Sequence, residues 1–243
     1  MRNKFAEVIY KTGLKDNRIC ALVADISPAG AMIKFREKFP KRFINCGVAE
    51  QAMIGIAAGL ALRGMRPFCY TIATFTLYRP FEMVRVDLCY QNLPVTIVGM
   101  GTGTIYSTLG GTHLTQEDIS VARSIPNMNI IAPCDPNELE EAVKYCCTKS
   151  KGPVYLRIGK AGEKNFTNKL SEKWQFGKIR KVHPGKNICI LTFGPIIEKA
   201  FEIKEQLNKK KILPEIYSCH TLKPFDYLGL KKIFKIFKTI VII

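Results

Sequence analysis

The sequence lacks the features that would place it in a membrane or a secretory pathway. Its 243 residues contain no apolar run long enough for a membrane-spanning helix, which needs about 20 residues. The N-terminal segment MRNKFAEVIY is charged and amphipathic, unlike a signal peptide. Nine cysteines occur without any CxxC pair, so neither a disulfide framework nor a zinc site is expected. We therefore expect a cytoplasmic protein with reduced, mostly buried thiols.

Acidic residues are scarce: 20 Asp and Glu face 37 Lys and Arg, for a net charge of +17. Such a surplus can indicate nucleic-acid binding, but no Arg-Gly repeat, zinc-finger spacing or RNA-binding aromatic motif accompanies it. Many lysines instead alternate with Ile, Leu and Phe, which favours the solvated faces of amphipathic helices. Examples are Lys209, Lys210, Lys211, Lys231, Lys232, Lys235 and Lys238. We expect no nucleic-acid partner.

Histidine is rare as well, and the three that occur form no metal or hydrolase motif. The sequence contains no HExxH, no GxSxG nucleophile turn and no GxxxxGK[ST] phosphate loop. We therefore predict no metal site in this chain and neither serine-hydrolase nor P-loop chemistry. His183 and His220 have no supporting sequence context.

Apolar strand-like segments alternate with helical patterns, which predicts an α/β fold with a mostly parallel sheet covered by helices on both faces. We predict a first domain over 1–160, a linker over 161–186 and a smaller α/β domain over 187–243. Because the chain ends inside an apolar strand, the second domain is expected to be truncated. The predicted strands are 18–25, 43–46, 67–72, 94–99, 128–132, 153–157, 187–193, 212–218 and 239–243. The predicted helices are 3–13, 50–63, 75–91, 115–123, 136–148, 195–210 and 226–237.

One predicted helix has almost no polar face. In the segment 50–63, EQAMIGIAAGLALR, nearly every residue after Glu50 and Gln51 is small or apolar. A helix that is apolar all round should be buried on every side. Glu50 could be a first-turn acid that simply favours the helix dipole. A carboxylate beside an apolar helix should also bind a proton more tightly, which suits a proton-transferring residue.

Three aromatic residues follow at a spacing of three. Phe75, Tyr78 and Phe81 are expected to share one side of a helix start, either as core packing or as a stacking surface for a flat ring. Pro80 fits best in a first helical turn. That placement would leave Phe75 and Tyr78 on the preceding loop.

The segment 99–113, GMGTGTIYSTLGGTH, is rich in glycine and hydroxyl residues and ends at His113. It is predicted to follow a strand, and open α/β sheets bind ligands at the carboxyl ends of their strands. His113 is either structural or exposed to a ligand at the end of this loop.

Taken together, these motifs resemble the transketolase family. The resemblance spans essentially the whole chain and matches the family's pyrimidine-binding domain and the start of its C-terminal domain. The segments that carry it are Ala24-Asp25-x-Ser27-Pro28, Phe43-x-x-Cys46-Gly47-Val48-Ala49-Glu50-Gln51, Thr74-Phe75, Gln91-Asn92-Leu93-Pro94-Val95, Gly111-Thr112-His113, Ile125-Pro126-Asn127-Met128-x-x-x-x-Pro133 and Leu222-Lys223-Pro224-Phe225-Asp226.

The resemblance implies thiamine diphosphate as the cofactor. Glu50 matches the glutamate that hydrogen-bonds N1′ of the aminopyrimidine ring and so promotes deprotonation of the thiazolium C2. Phe75, Tyr78 and Phe81 match the aromatic cluster around the pyrimidine, with Tyr78 at the stacking position. Asp25 matches an aspartate near the cofactor at a subunit interface.

The resemblance also implies substrate and partner contacts. His113 matches a histidine that contacts hydroxyls of the donor substrate, and we expect it to take part in catalysis. Arg2 and Lys160 lie where the family places basic residues for a sugar phosphate, although Lys160 replaces an arginine. The chain has no Gly-Asp-Gly motif, which holds Mg²⁺ and the diphosphate in the family. We therefore expect an N-terminal partner subunit with the diphosphate domain, in a homodimer or heterotetramer.

Three departures from the family pattern indicate altered substrate contacts. Gly101 and Leu109 replace a histidine and an acidic residue in the loop, and Ala29 replaces a phosphate-contacting serine. The leading hypothesis is the C-terminal subunit of a transketolase-like enzyme that transfers a two-carbon ketol unit between sugars or sugar phosphates. The alternatives are a 1-deoxyxylulose-5-phosphate synthase, a 2-oxoacid dehydrogenase E1 β-subunit, or a non-catalytic subunit, against which the intact Glu50 argues.

Overall fold

The computed structural model describes residues 1–26, 31–168 and 170–243. These residues form a large, mostly parallel sheet and a smaller second sheet, both with helices, so the predicted α/β fold is confirmed. The turn predicted at Ser27 and Pro28 lies outside the described residues, as does Ala29.

The elements up to residue 158 are α1 (Arg2–Gly13), β1 (Ile19–Val23), α2 (Ala31–Lys38), β2 (Phe43–Asn45), α3 (Glu50–Leu62), β3 (Arg66–Ile72), α4 (Ala73–Leu77), α5 (Phe81–Met83), a π-helix (Val84–Tyr90), β4 (Thr96–Met100), α6 (Asp118–Ser124), β5 (Asn129–Ile131), α7 (Pro136–Thr148) and β6 (Val154–Ile158). Those that follow are β7 (Arg180–His183), β8 (Ile188–Thr192), α8 (Ile197–Asn208), β9 (Pro214–Ser218), β10 (Thr221–Lys223), α9 (Tyr227–Ile236) and β11 (Ile240–Ile242). Short 3₁₀ segments occupy Pro40–Arg42, Ser107–Leu109, Gly111–His113 and Gly194–Ile196.

The large sheet has the strand order β10-β5-β6-β4-β3-β1-β2. All neighbouring strands are parallel except β10, which pairs antiparallel with β5. Strands β1 and β4 are buried along their whole length because helices cover both faces of the sheet. The carboxyl ends of β1, β2, β3, β4 and β6 therefore meet at one edge, where their loops can form a site.

Two apolar layers hold the helices against this sheet. On one face, Phe5 and Ile9 of α1 are fully buried in a core that also contains residues of α2 and α7. On the other face, Met53 and Ile54 of α3 are equally buried in a second core. The sheet is thus rigidly positioned between two packed layers.

Two short strands were not predicted from the sequence. Strand β7 lies within the segment predicted as a linker and pairs antiparallel with β9 in the second sheet, whose order is β11-β8-β9-β7. Strand β10 crosses back to extend the large sheet. Both are only three or four residues long, too short to show a hydrophobic period.

The helix predicted over 75–91 is interrupted. Helix α4 ends at Leu77, and Pro80 is the N-cap of the following helix α5. Proline has no N–H to continue a helix from the preceding turn, so the chain must start a new helix there. The prediction that Phe75 lies on a loop is wrong, because it lies within α4, whose C-cap is Tyr78.

The prediction that the apolar helix is buried on every side is wrong for the single chain. One face of α3 packs on the sheet, but the opposite face is exposed, including Ile56 at 41% and Leu62 at 63%. The small residues of this exposed face are Ala52, Gly55 and Gly59. A side chain added at Gly55 or Gly59 would meet nothing within 4 Å. This apolar face has no partner within the described residues.

The predictions for cysteine and lysine exposure are confirmed. Five thiols that we predicted to be buried are buried and free, namely Cys20, Cys69, Cys89, Cys189 and Cys219. Burial raises the pKa of the Cys20 thiol to about 12, which keeps it protonated and unreactive. The seven lysines named above are all exposed. Among the described residues, no helix combines the length and apolarity needed to cross a bilayer.

Two buried carboxylates at the start of α7 connect the two parts of the chain. Asp135 caps the helix by accepting from the Glu138 N–H at 2.8 Å. It also accepts from the backbone N–H groups of Phe166 and Thr167 at 2.8 and 2.7 Å, so it fixes the segment that leaves the first sheet.

Glu138 extends this connection to the second sheet. Its Oε2 accepts from the Cys134 N–H at 3.0 Å and from the Ser218 hydroxyl of β9 at 2.9 Å. Arg180 of β7 lies 3.5 Å from the other carboxylate oxygen. Since Glu138 is fully buried, these donors take the place of water in stabilising its carboxylate.

Replacing Glu138 with Ala should destabilise the fold. The change leaves the buried Cys134 N–H and the Ser218 hydroxyl without an acceptor and removes the carboxylate beside the Arg180 guanidinium. We expect the free energy of unfolding to fall by about 3 kcal/mol. Urea denaturation measures this. Glu141→Ala on the same helix is the control: it removes an exposed ion pair with Lys144 and should cost less than about 0.5 kcal/mol. Equal losses in the two variants would contradict the assignment.

Candidate active site

The carboxylate predicted to transfer protons is almost completely buried. Glu50 is the first residue of α3, separated from the end of β2 by four residues, and is 3% exposed. Nη1 of Arg79 donates to both of its carboxylate oxygens, at 2.9 Å each. The Arg79 side chain itself is 45% exposed. A buried charge thus has a partner that extends into solvent, which offsets the cost of its burial.

Arg79 also covers an aromatic ring. Its guanidinium carbon lies 4.4 Å from the ring centroid of Phe75 in α4, within range of a cation–π interaction. On the other side, His113 meets the Phe75 ring edge-on with centroids 5.2 Å apart. The structure therefore places the predicted site residues Glu50, Phe75 and His113 close together. Arg79, which was not predicted from the sequence, connects Glu50 with Phe75.

Tyr106 and Lys160 continue this row of side chains beyond His113, and Arg2 is joined to Lys160 through the backbone. The ring of Tyr106 lies 6.2 Å from that of His113, and Nζ of Lys160 lies 4.7 Å from the centroid of Tyr106. The backbone N–H of Arg2 donates to the Lys160 carbonyl at 3.3 Å. Nε of Arg2 is buried without a hydrogen-bond partner among the described residues. Arg2 and Lys160 thus lie next to each other at one end of the row.

Tyr106 takes its position from a neighbouring glycine. Gly101 has a φ of +72°, and a Cβ there would collide with the Tyr106 ring. The tyrosine hydroxyl donates to the sulfur of Met100 at 2.9 Å. The ring therefore fills the space beside Gly101, one of the departures noted in the sequence, and forms a wall of the site next to His113.

Beside this row lies an open cleft of about 530 Å³. Its lining residues are Thr74, Phe75, Tyr78, Arg79, Gly111, Thr112, Leu114, Gln116 and Glu117. The Thr74 hydroxyl is buried and meets no hydrogen-bond partner in the described parts of the chain. The Tyr78 hydroxyl donates to Glu117 at 3.1 Å. Burial, with this hydrogen bond, raises the pKa of Tyr78 well above its usual range.

These groups suit the aminopyrimidine ring of thiamine diphosphate. A flat ring with N–H groups needs an aromatic surface and hydrogen-bond acceptors. The ring of Phe75, the carboxylate of Glu50 and the orphaned hydroxyl of Thr74 supply them. The site thus fits the group that the resemblance implies.

Two predicted residues do not join this constellation. Phe81 is half-buried and packs against the core beneath α3. Asp25 is exposed at the carboxyl end of β1 with a φ of +42°, and its N–H donates to the Asn45 side chain at 3.2 Å. Tyr78 lines the cleft. In the parts of the chain that the structure describes, no group of three or more metal-binding side chains is found.

Sequence reasoning missed several residues of the site. Arg79 stands between Tyr78 and Pro80 in a segment whose pattern is dominated by its aromatic residues. A carboxylate predicted to be buried needs a cationic or N–H partner, and this requirement could have pointed to Arg79. Tyr106 had no comparable signal, because its role depends on the shape of the loop.

A buried ion pair supports the site from behind. Asp118, at the start of α6, is fully buried and accepts from the Tyr155 hydroxyl and from Nε of Arg157, both at 2.8 Å. Both partners belong to β6. This contact fixes α6 to the sheet and so positions the neighbouring Glu117 at the cleft.

Two family models match the chain. The model described as transketolase, pyrimidine binding domain, matches residues 1–162. The model described as transketolase, C-terminal domain, matches residues 177–243.

Curated relatives are similar over most of the chain. A 6-deoxy-6-sulfo-D-fructose transketolase subunit of Clostridium sp. (strain MSTE9) is 33% identical over 226 residues, covering 93% of this chain and 70% of the relative. An apulose-4-phosphate transketolase subunit of Phocaeicola vulgatus is 31% identical over 95% of this chain and 74% of its own length. A 1-deoxy-D-xylulose-5-phosphate synthase of Clostridium perfringens is 32% identical, but the match covers only 36% of it.

A solved structure agrees with these matches. A chain described as "Split gene transketolase, inactive beta4 tetramer" superposes with a TM-score of 0.89 at 30% identity, covering 99% of this chain and 78% of that one. The chain belongs to the transketolase family of thiamine-diphosphate-dependent transferases, in which it corresponds to the C-terminal section.

Proposed function

We propose that this chain is the C-terminal subunit of a transketolase that transfers a two-carbon ketol unit between sugars or sugar phosphates. The observation that carries the proposal is the row of side chains from Glu50 to Lys160 at the carboxyl edge of the large sheet, with Arg2 joined to Lys160 through the backbone. It joins a buried acid and an aromatic ring to a histidine and two cations, which is what a cofactor ring and an anionic sugar would each need.

The residues of the row have separate tasks. Thiamine diphosphate, when bound, supplies a carbanion equivalent that accepts the ketol unit. Glu50 would share one proton with N1′ of the aminopyrimidine: it would donate as the carboxylic acid and accept as the carboxylate once N1′ carries the proton. Phe75, together with Tyr78, would form the aromatic surroundings of the ring, whereas Phe81 supports them from the core. His113 binds hydroxyl groups of the donor sugar.

The cationic end of the row binds the anionic end of the substrate. Arg2 and Lys160 are adjacent, and Nε of Arg2 is buried without an acceptor among the described residues. A phosphate oxygen would satisfy that N–H and gain charge-assisted hydrogen bonds from both residues. The proposal therefore favours a substrate with an anionic terminus.

We further propose that the diphosphate and Mg²⁺ are held mainly by an N-terminal partner subunit. The sequence contains no Gly-Asp-Gly motif, and Asp25 is exposed at the same edge of the sheet as Glu50, where a second chain could contact it. The apolar face of α3 supports an obligate interface, because a free surface of Ile56 and Leu62 would leave apolar area in water. The active complex would be a homodimer or a heterotetramer, and the nine free cysteines favour the cytoplasm.

Two other thiamine-dependent reactions are the alternatives. The segment Gln91-Asn92-Leu93-Pro94-Val95 and the similarity to 1-deoxy-D-xylulose-5-phosphate synthases favour condensation of pyruvate with an aldehyde phosphate. Release of CO₂ from pyruvate by the complex would support that reaction. Transfer to a lipoyl carrier would support a 2-oxoacid dehydrogenase β-subunit.

Replacing Glu50 with Gln should abolish most ketol transfer. The amide cannot exchange the proton with N1′, and we expect kcat to fall by at least about 100-fold. The measurement is ketol transfer by the complex with its N-terminal partner, with phosphorylated and unphosphorylated ketoses as donors. Glu82→Gln on the exposed surface of α5 is the matched control and should retain activity. Full activity of Glu50→Gln would refute the mechanism.

Replacing Lys160 with Gln should affect phosphorylated substrates selectively. Loss of one charge-assisted contact should raise KM for a phosphorylated ketose about 10-fold, while KM for the unphosphorylated ketose stays unchanged. Steady-state kinetics with both donors measures this difference. Lys151→Gln is the control, because this exposed lysine precedes the opposite, amino end of β6. An equal rise in KM for both donors would show that Lys160 does not recognise phosphate.

Replacing Gly55 with Glu should prevent assembly without unfolding the chain. The position is open in the single chain, and glutamate is favoured over glycine in a helix by up to about 1 kcal/mol. We expect an unchanged or higher melting temperature but a single-chain mass in size-exclusion chromatography with light scattering. Gln206→Glu on exposed α8 adds the same charge and should assemble like the native chain. Normal assembly of Gly55→Glu would exclude α3 from the interface.

A further inference from the structure

Arg79 occupies both features that would recognise the cofactor ring. Its Nη1 donates to both oxygens of Glu50, and its guanidinium carbon lies over the Phe75 ring, 4.4 Å from the centroid. An aminopyrimidine bound to the same carboxylate and the same ring would have to take the place of this guanidinium.

The chemistry of the two groups explains why one can replace the other. A guanidinium is flat, carries N–H donors in its plane and stacks on aromatic rings. The aminopyrimidine shares its flatness and its ability to stack, and its N1′ becomes an N–H donor towards a carboxylate once it is protonated. In the single chain, Arg79 thus provides Glu50 with the hydrogen bonds that the cofactor ring would otherwise provide.

Arg79 is held weakly enough to leave. It lies in the turn between α4 and α5, outside either helix, and its side chain is 45% exposed. Water can hydrate the guanidinium once it swings out, so the cost of its leaving lies with the buried Glu50, and an N–H donor on the incoming ring would offset that cost. Rotation of the long side chain towards solvent would free the carboxylate and the ring without moving a helix or a strand.

We propose that Arg79 is a latch on the cofactor site. It holds Glu50 in place in the free chain and swings away from both Glu50 and Phe75 when the aminopyrimidine ring binds. The inference rests on the proposed function, since it takes thiamine diphosphate as the ligand. Its consequence is that the cofactor binds in competition with Arg79, so the apparent affinity is lowered by the fraction of chains that are latched.

The first test asks whether Arg79 and Glu50 are coupled in the chain alone. Arg79→Gln leaves the buried carboxylate without its partner, so the melting temperature should fall by at least about 4 °C. In a Glu50→Gln background, the same change should have almost no effect, because no buried charge remains. Equal shifts in both backgrounds would show that Arg79 does not hold Glu50 and would overturn the latch.

The second test asks whether the latch opposes binding. In the complex with the N-terminal partner and saturating Mg²⁺, calorimetric titration gives Kd for thiamine diphosphate. We expect Arg79→Gln to bind it about 3- to 10-fold more tightly than the native protein, with Arg79→Lys between them. Arg36→Gln removes the same charge from the exposed surface of α2 and should leave Kd unchanged.

The outcomes separate the latch from the function on which it rests. Weaker binding by Arg79→Gln would overturn the latch and show that Arg79 is a cofactor ligand. Unchanged binding would overturn the latch and show that Arg79 has no role in binding. In both cases, thiamine diphosphate would remain the cofactor. Failure of the native complex and of every variant to bind thiamine diphosphate would instead refute the proposed function, and the latch with it.

Discussion

The burial of one negative charge organises the candidate active site. Glu50 is 3% exposed and begins a helix whose following residues are almost all apolar. A carboxylate in such a place costs several kcal/mol unless donors surround it. The N-terminus of α3 contributes its dipole, and Arg79 contributes an N–H shared between both oxygens. Any group that enters the cleft against Glu50 must therefore bring its own N–H donor, because displacing Arg79 without replacing its hydrogen bonds would leave the charge unsatisfied. This requirement selects nitrogen-bearing rings over purely apolar ones.

The parallel sheet explains how residues far apart in sequence form this site. Arg2 begins α1, and Lys160 follows β6, yet their backbones share a hydrogen bond. They meet because every parallel strand ends at the same edge, so that the loops after β2, β3, β4 and β6 converge there. The supporting contacts lie deeper, where the Asp118 ion pair fixes α6 to β6. The buried layers fix the sheet in place, while the loops carry the side chains that form the site.

Much of this could be predicted from sequence, and the failures have physical causes. A run of small and apolar residues that opens with Glu50 placed α3 and its first residue correctly, and buried strands such as β1 and β4 followed from apolar runs. The exposed face of α3 could not be foreseen, because apolar residues do not reveal whether their own chain or another one covers them. Strand β10 escaped because three residues carry no period. The ion pair of Glu50 with Arg79 escaped because it joins positions 29 residues apart through a turn whose geometry Pro80 imposes.

The exposed face of α3 and the acid at its N-terminus are two properties of one helix, and they connect assembly with chemistry. Small residues along this face allow a second backbone to approach closely. A chain packed there, as we propose, would also exclude water from the neighbourhood of Glu50 and Arg79. Removing water lowers the effective dielectric constant, which strengthens both the Arg79–Glu50 ion pair and a hydrogen bond from a cofactor ring to Glu50. It also takes away the hydration of the half-exposed Arg79, a cost that the ring does not bear. The half-exposed guanidinium is favourable in the open site of the single chain, where water hydrates it. A neutral or singly protonated ring is more favourable in the covered site, because it needs less hydration. Assembly would then shift the preference of Glu50 from the chain's own arginine towards the cofactor.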